Sequence, residues 1–277
     1  MTGPAAHGDA PAARLVARDL RVGYGEREVL HGLGCEIPAG EITAIVGANA
    51  SGKSTLLRAM ARLLRARTGA VLLDGEAISG IAPRALARRL GFLPQSPTPP
   101  EGLTVEDLVS RGRFPHQRIG RRASAEDRAK VAWALAATGT ADLAQRSIDQ
   151  LSGGQRQRVW IAMALAQDTD VLLLDEPTTY LDLAHQLEVL DLLADLNRID
   201  GRTFVMVLHD INHACRYAHH LIAVRDGAVH AAGPPAEIVT EDLIAAVLGL
   251  RARVMPDPVT GTPMCVPVGR IAEIPAK

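Results

Sequence analysis

The sequence predicts an α/β fold with a mainly parallel sheet, interrupted by an inserted helical subdomain. Three observations predict it. Short, almost wholly apolar runs (ITAIV, VLLL, FVMVL, LIAV) have strand length and no polar alternation, as expected where helices cover both faces of a sheet. Helical periodicity alternates with these runs, first in KSTLLRAMARLL, directly after a glycine-rich turn. Between residues 95 and 151 the strand pattern stops. There TVEDLVSRGRF and SAEDRAKVAWALAATG each read as a helix opened by a cap residue and an acidic first turn.

Taken in order, residues 1–13 form a loose Gly/Pro/Ala leader and residues 14–277 one domain. LVARDLRVGY alternates like a half-buried strand, and EREVLHGLGCEIPAGE reads as further short strands broken by Gly and Pro. The core is expected over 14–95 and 166–250, the helical insertion over 96–165 behind a turn-rich hinge (SPTPPEG), and a tail over 251–277.

Composition bounds the function. The chain has 277 residues, 47% of them apolar, with a formal net charge of −1, and that near-balance argues against nucleic acid as a partner. Its 3 cysteines lie in no CxxC spacing and read as reduced thiols. No apolar run reaches the roughly 18–20 residues that span a bilayer, and the leader has no basic-then-apolar signal pattern. A soluble, cytoplasmic protein is expected, whose membrane role would need a partner.

Residues 47–55, GANASGKST, fit GxxxxGK[ST] between a buried strand and a helix. Backbone N–H groups of Gly47, Ala48, Asn49, Ala50, Ser51, Gly52, Lys53, Ser54 and Thr55 can wrap phosphates. The Lys53 ammonium can reach the terminal phosphates, and the Ser54 hydroxyl can ligate Mg²⁺. In VLLLDEP, Asp175 at a strand end can hold the Mg²⁺ shell, and Glu176 can orient and deprotonate an attacking water. His209, ending FVMVLHD, can meet the terminal phosphate; Gln95 can contact Mg²⁺ or water; Tyr24 can stack on a base. Each of these last three alone would ordinarily be structural. About a hundred residues past the first cradle, LSGGQRQR opens another helix with free N–H groups and a positive dipole end. One chain thus carries two anion sites.

Together these residues resemble the ATP-binding subunit of an ABC transporter, over nearly the whole chain. Tyr24 matches the aromatic A-loop, GANASGKST the Walker A motif, Gln95 the Q-loop, and LSGGQ the family signature. VLLLDE matches Walker B, TTYLD with Asp182 the D-loop, and His209 the switch histidine. The resemblance implies a P-loop NTPase core with an N-terminal antiparallel β subdomain, with ATP and Mg²⁺ as ligands. It also explains the two anion sites. Such ATPases pair head to tail, so Ser152, Gly153, Gly154 and Gln155 of one copy would close on the ATP of the other. Many members have glycine where this chain has Ala50, a departure expected to be tolerated if that residue keeps φ negative.

PTTYLDLAHQLEVLDLL, LHDINHACRYAHHLIAVRDG and RGRFPHQ narrow the resemblance to ATPases of bacterial ferric-siderophore importers, of the ferric enterobactin and ferric citrate kind. The tail DPVTGTPMCVPVGR is similar to the C-terminal segment of the enterobactin type. This implies a homodimer of ATPases, two transmembrane permease subunits with the groove for one near residues 97–118, and a substrate-binding protein feeding them. It also implies peripheral attachment to the cytoplasmic face of the inner membrane. Haem or cobalamin import is the alternative. An exporter has the same motifs but usually a fused membrane segment. DNA-end ATPases carry coiled-coil arms, and translation-type members carry two ATPase domains; neither fits this chain.

Overall fold

The computed structural model describes residues 13–270 apart from 96, 98–101, 118–121 and 180. Most of the leader, Tyr180, much of the SPTPPEG hinge, Arg118 and the end of the tail therefore lie outside the described residues.

The centre is a six-stranded sheet made of β3 (Ile42–Val46), β6 (Leu90–Leu93), β7 (Val171–Asp175), β8 (Thr203–Val207), β9 (His220–Arg225) and β10 (Ala228–Gly233). Its order is β10-β9-β3-β8-β7-β6, parallel throughout except for the β9–β10 hairpin at one edge. Every residue of β3, β7 and β8 is buried. The pleat explains why the runs are apolar on both faces: Leu172 and Leu174 enter one core, Val171 and Leu173 the other. Each such side chain contributes about 1.5–3 kcal/mol on burial.

A second, antiparallel sheet covers one face. It consists of β1 (Ala13–Tyr24), β2 (Arg27–Pro38), β4 (Thr68–Leu73) and β5 (Glu76–Ala77), in the order β2-β1-β4-β5. The several short strands expected before β3 are instead the single strand β2. Leu30, Leu33 and Ile37 are all buried although their spacing is not the even spacing of a strand. Register shifts against β1 reconcile the two, and Gly32, at φ +76°, bends the chain without ending it.

Helix α1 (Lys53–Met60) is shorter than its sequence pattern. It stops where Arg62 turns left-handed (φ +56°) and donates through Nη1 to the Ile78 and Ile81 carbonyls, each at 2.6 Å. After α2 (Pro83–Arg89) and β6 comes the helical insertion of α3 (Val105–Arg111), α4 (Ala125–Ala137) and α5 (Gly153–Ala166). Thr104 with Asp107 and Ser124 with Asp127 close capping boxes at the two expected starts. The buried Arg113 donates to Asp127 at 3.0 Å and to the Ala166 carbonyl at 2.9 Å, tying α4 to α5.

α6 (Leu183–Asp200), α7 (Ile211–Tyr217), α8 (Pro235–Ile238) and α9 (Glu241–Leu248) complete the far layer. Where it is described, the expected tail forms a hairpin: β11 (Leu250–Pro256) and β12 (Pro263–Arg270) pair antiparallel and pack on α7 and α9. Asp257 makes the turn, accepting the Val259 and Thr260 N–H groups at 2.8 and 3.2 Å. Among the described residues no helix is long and apolar enough to cross a membrane.

Candidate active site

Parallel strands bring their carboxyl ends to one edge, and the predicted groups collect there. Val46 leads into the glycine-rich loop, Leu93 to Gln95 and Val207 to His209, while β7 ends on Asp175. A cleft of about 600 Å³ opens between them, lined by Tyr24, Arg27, Val29, residues 49–55, Gln95, Glu176 and His209. That is an ordinary volume for a small-molecule site.

The loop needs its glycines for different reasons. A Cβ on Gly47 would lie 2.2 Å from the Val224 carbonyl oxygen, so nothing larger fits; Gly52 caps α1 at φ +107°. Ala50 departs from expectation: its φ is +62°, not negative. Chirality makes a left-handed alanine cost about 1–2 kcal/mol, partly offset because glycine loses roughly 0.5–1 kcal/mol more entropy on folding. Ala50→Gly is therefore expected to stabilise the chain by about 0.5–1 kcal/mol, a rise of about 1–3 °C in Tm by calorimetry. An unchanged or lower Tm would mean the loop is not strained at that residue.

Lys53 is buried and its Nζ donates to the Gly47 and Ala48 carbonyls at 2.9 and 2.8 Å. Burial pulls its pKa below the usual lysine value, against the opposing pull of the Glu176 and Asp175 carboxylates. Asp175 is fully buried. Its Oδ1 accepts the Ser54 hydroxyl at 2.8 Å, while its Oδ2 has no hydrogen-bond partner among the described residues and lies 3.7 Å from Arg58 Nη2. Burial raises the Asp175 pKa, and the Ser54 hydrogen bond is the main opposing influence. A buried carboxylate with one idle oxygen beside a hydroxyl is a hard-oxygen donor pair that suits a small divalent cation.

Glu176 is held from three sides. Its Oε1 lies 2.7 Å from His209 Nε2, and its Oε2 accepts Gln95 Nε2 at 2.6 Å and the Thr179 hydroxyl at 3.0 Å. Its backbone sits at φ +55°, a conformation worth about 1–3 kcal/mol of strain in a residue with a side chain. Gln95 thus reaches a carboxylate, a contact its sequence reading had not included. Thr179 and Arg58 were also missed, though each was legible in local spacing. Thr179 closes a turn on the Glu176 carbonyl, and Arg58 stands one helical turn after Ser54. Arg27 joins the cleft because it pairs with Tyr24 across the β1–β2 turn.

The signature residues are elsewhere. Ser152, Gly153, Gly154 and Gln155 do not line the cleft; Ser152 caps α5 in a reciprocal box with Gln155. Ser152 and Gly153 are exposed, and a Cβ on Gly153 would meet nothing within 4 Å. Asp182 likewise stays outside the cleft. It caps α6 by accepting the His185 N–H at 2.9 Å, and that hydrogen bond is the chief reason its pKa is lowered.

A sequence model described as ABC transporter matches residues 30–179. The ferric enterobactin transport ATP-binding protein of Escherichia coli is 54% identical over 94% of this chain and 96% of its own. The iron(3+)-hydroxamate import ATP-binding protein of Bacillus subtilis is 51% identical over 91% of this chain and 94% of its own. Among solved structures, an ABC transporter assigned to the metal-chelate type, in an inward-facing conformation, matches with a TM-score of 0.79 and 29% identity, covering 92% of this chain and 97% of that one.

Proposed function

This chain belongs to the ABC transporter family as an ATP-hydrolysing subunit, and from that premise we propose that it powers import of ferric siderophores through two permease subunits at the cytoplasmic face of the inner membrane. The observation that carries the cargo is its similarity, over nearly the full length of both chains, to proteins named for ferric enterobactin and iron(3+)-hydroxamate transport. That two different chelates appear among such relatives fits an ATPase that never touches its cargo.

ATP lies in the cleft with its base against Tyr24 and its phosphates in the loop. There Lys53 exchanges the Gly47 and Ala48 carbonyls for phosphate oxygens. Ser54, Asp175 and Gln95 would hold Mg²⁺, which neutralises phosphate charge. Glu176 takes the proton of the attacking water, and His209 donates to the terminal phosphate. Release by Gln95 and His209 would open its oxygens to that proton. The α5 N-terminus, exposed and outside the cleft, serves the nucleotide of a second copy, so ATP joins two chains head to tail and Asp182 lies in the joint.

Cells lacking this gene are expected to lose uptake of at least one labelled ferric siderophore, with haem and cobalamin uptake intact. Wild type should restore it, and the Glu176→Gln form should not. A defect confined to haem or cobalamin would change the cargo and keep the machine. Restoration by Glu176→Gln would remove hydrolysis from the mechanism.

A further inference from the structure

We propose that the β11–β12 hairpin is a brace that positions His209, acting through Asn212 on α7; this rests on the reading of His209 as a group that meets the terminal phosphate. His209 stands in the short link between β8 and α7, with only Asp210 between it and the helix. Asp210 caps the helix by accepting the Asn212 and His213 N–H groups at 2.7 and 3.2 Å. Whatever fixes α7 therefore fixes the direction in which the imidazole leaves the sheet. A helix of 7 residues has little stability of its own, so its placement comes from its neighbours.

Those neighbours are built into the hairpin. The Asn212 side-chain amide pairs in both directions with one backbone unit of β12: Nδ2 donates to the Cys265 carbonyl at 3.1 Å, and Oδ1 accepts the Cys265 N–H at 2.7 Å. It extends the β-ladder from the side, as a strand neighbour would. One turn further along the same helix face, Arg216 Nη2 meets the Asp257 carboxylate at 2.7 Å. Asp257 is the residue that makes the hairpin turn, so the second tie grips the hairpin at its tightest point. Between the two ties lie the thiols of Cys215 and Cys265, both buried. Burial pushes the Cys215 thiol up to about 12, which keeps it protonated and weakly nucleophilic at this seam. On its other side α7 is tied to α6, where Tyr217 donates to Asp191 at 2.7 Å. The helix is thus clamped between α6 and the hairpin, and the Asn212 tie grips it at the end that carries His209.

The Asn212 tie is neutral and made to backbone, so it holds equally well across pH and salt. That suits a part whose task is mechanical. Asn212 is a positioning residue: it touches neither nucleotide nor Glu176, and its effect must pass through the histidine.

The test is a double-mutant cycle in the full-length chain, read as ATP turnover with Tm recorded alongside. Asn212→Leu removes both hydrogen bonds at similar volume, and Asn212→Asp keeps the acceptor for the Cys265 N–H while losing the donor. Misplacement of a reacting group from a distance costs up to about 100-fold in rate. Asn212→Leu is expected to lower kcat roughly 10- to 100-fold, Asn212→Asp less, with KM for ATP unchanged. In a His209→Ala background neither change should lower kcat further, because the group being positioned is gone. Equal losses in both backgrounds would mean a merely structural clamp and overturn the proposal, as would no loss in wild type. Unaltered turnover in His209→Ala alone would instead sink the reading of the histidine itself, and the brace with it.

Discussion

Glu176→Gln is expected to cut ATP hydrolysis by about 10²–10⁴-fold, the range found when a general base is removed, while leaving ATP affinity near wild type. Glutamine keeps the volume and the backbone of a residue that is buried and already strained at φ +55°. An amide oxygen can still accept from Gln95 and Thr179. What disappears is a negative charge able to take a proton. Phosphate release measured against nucleotide binding by calorimetry separates the two effects. Turnover within a few-fold of wild type would remove Glu176 as the base, and parallel loss of binding would mean the substitution had disturbed the loop instead.

The second large effect concerns pairing. Gly153→Asp, introduced into the Glu176→Gln chain, is expected to abolish ATP-driven dimerisation while leaving each monomer able to bind ATP. Space around the missing Cβ of Gly153 is open, and a carboxylate in the first turn of α5 favours the helix dipole. The monomer should therefore be no less stable. In a head-to-tail pair the same carboxylate would face the partner's phosphates. Like charges set against each other in an interface cost several kcal/mol, more than about 100-fold in the dimer constant. Light scattering with and without ATP reads it directly. A persistent ATP-dependent dimer would show that the signature does not face the partner's nucleotide.

Much of this site was legible in sequence because its grammar is local. A buried strand, a glycine turn and a helix put Lys53 and Ser54 where they are, and apolar runs ending in Asp175 or just before His209 mark the sheet edge. The capping residues Thr104 and Ser124 announced two helices correctly. What escaped was whatever depended on partners distant in sequence. Nothing near Ala50 tells that its φ is positive, since a loop's backbone path is set by its closure and not by the residue type at one position. β2 looked broken because bulges can restore a burial pattern that strict alternation forbids. The hairpin read as a tail because its inward face is small, and its hold on the molecule lies in Asn212 and Arg216, some 40–50 residues upstream. Gln95 was found, but its contact with Glu176 joins two strands 81 positions apart.

The tethered carboxylate of Glu176 has a consequence for the cell's fuel. With one oxygen against His209 and the other shared by Gln95 and Thr179, three of about four lone-pair sites are engaged in a solitary copy, and a water must compete for what is left. Spare copies awaiting a transporter are therefore expected to turn over slowly, so that a surplus of this subunit drains little ATP. On that expectation no inhibitor has to be made to restrain them, and synthesis of the subunit need not be matched closely to that of its membrane partners.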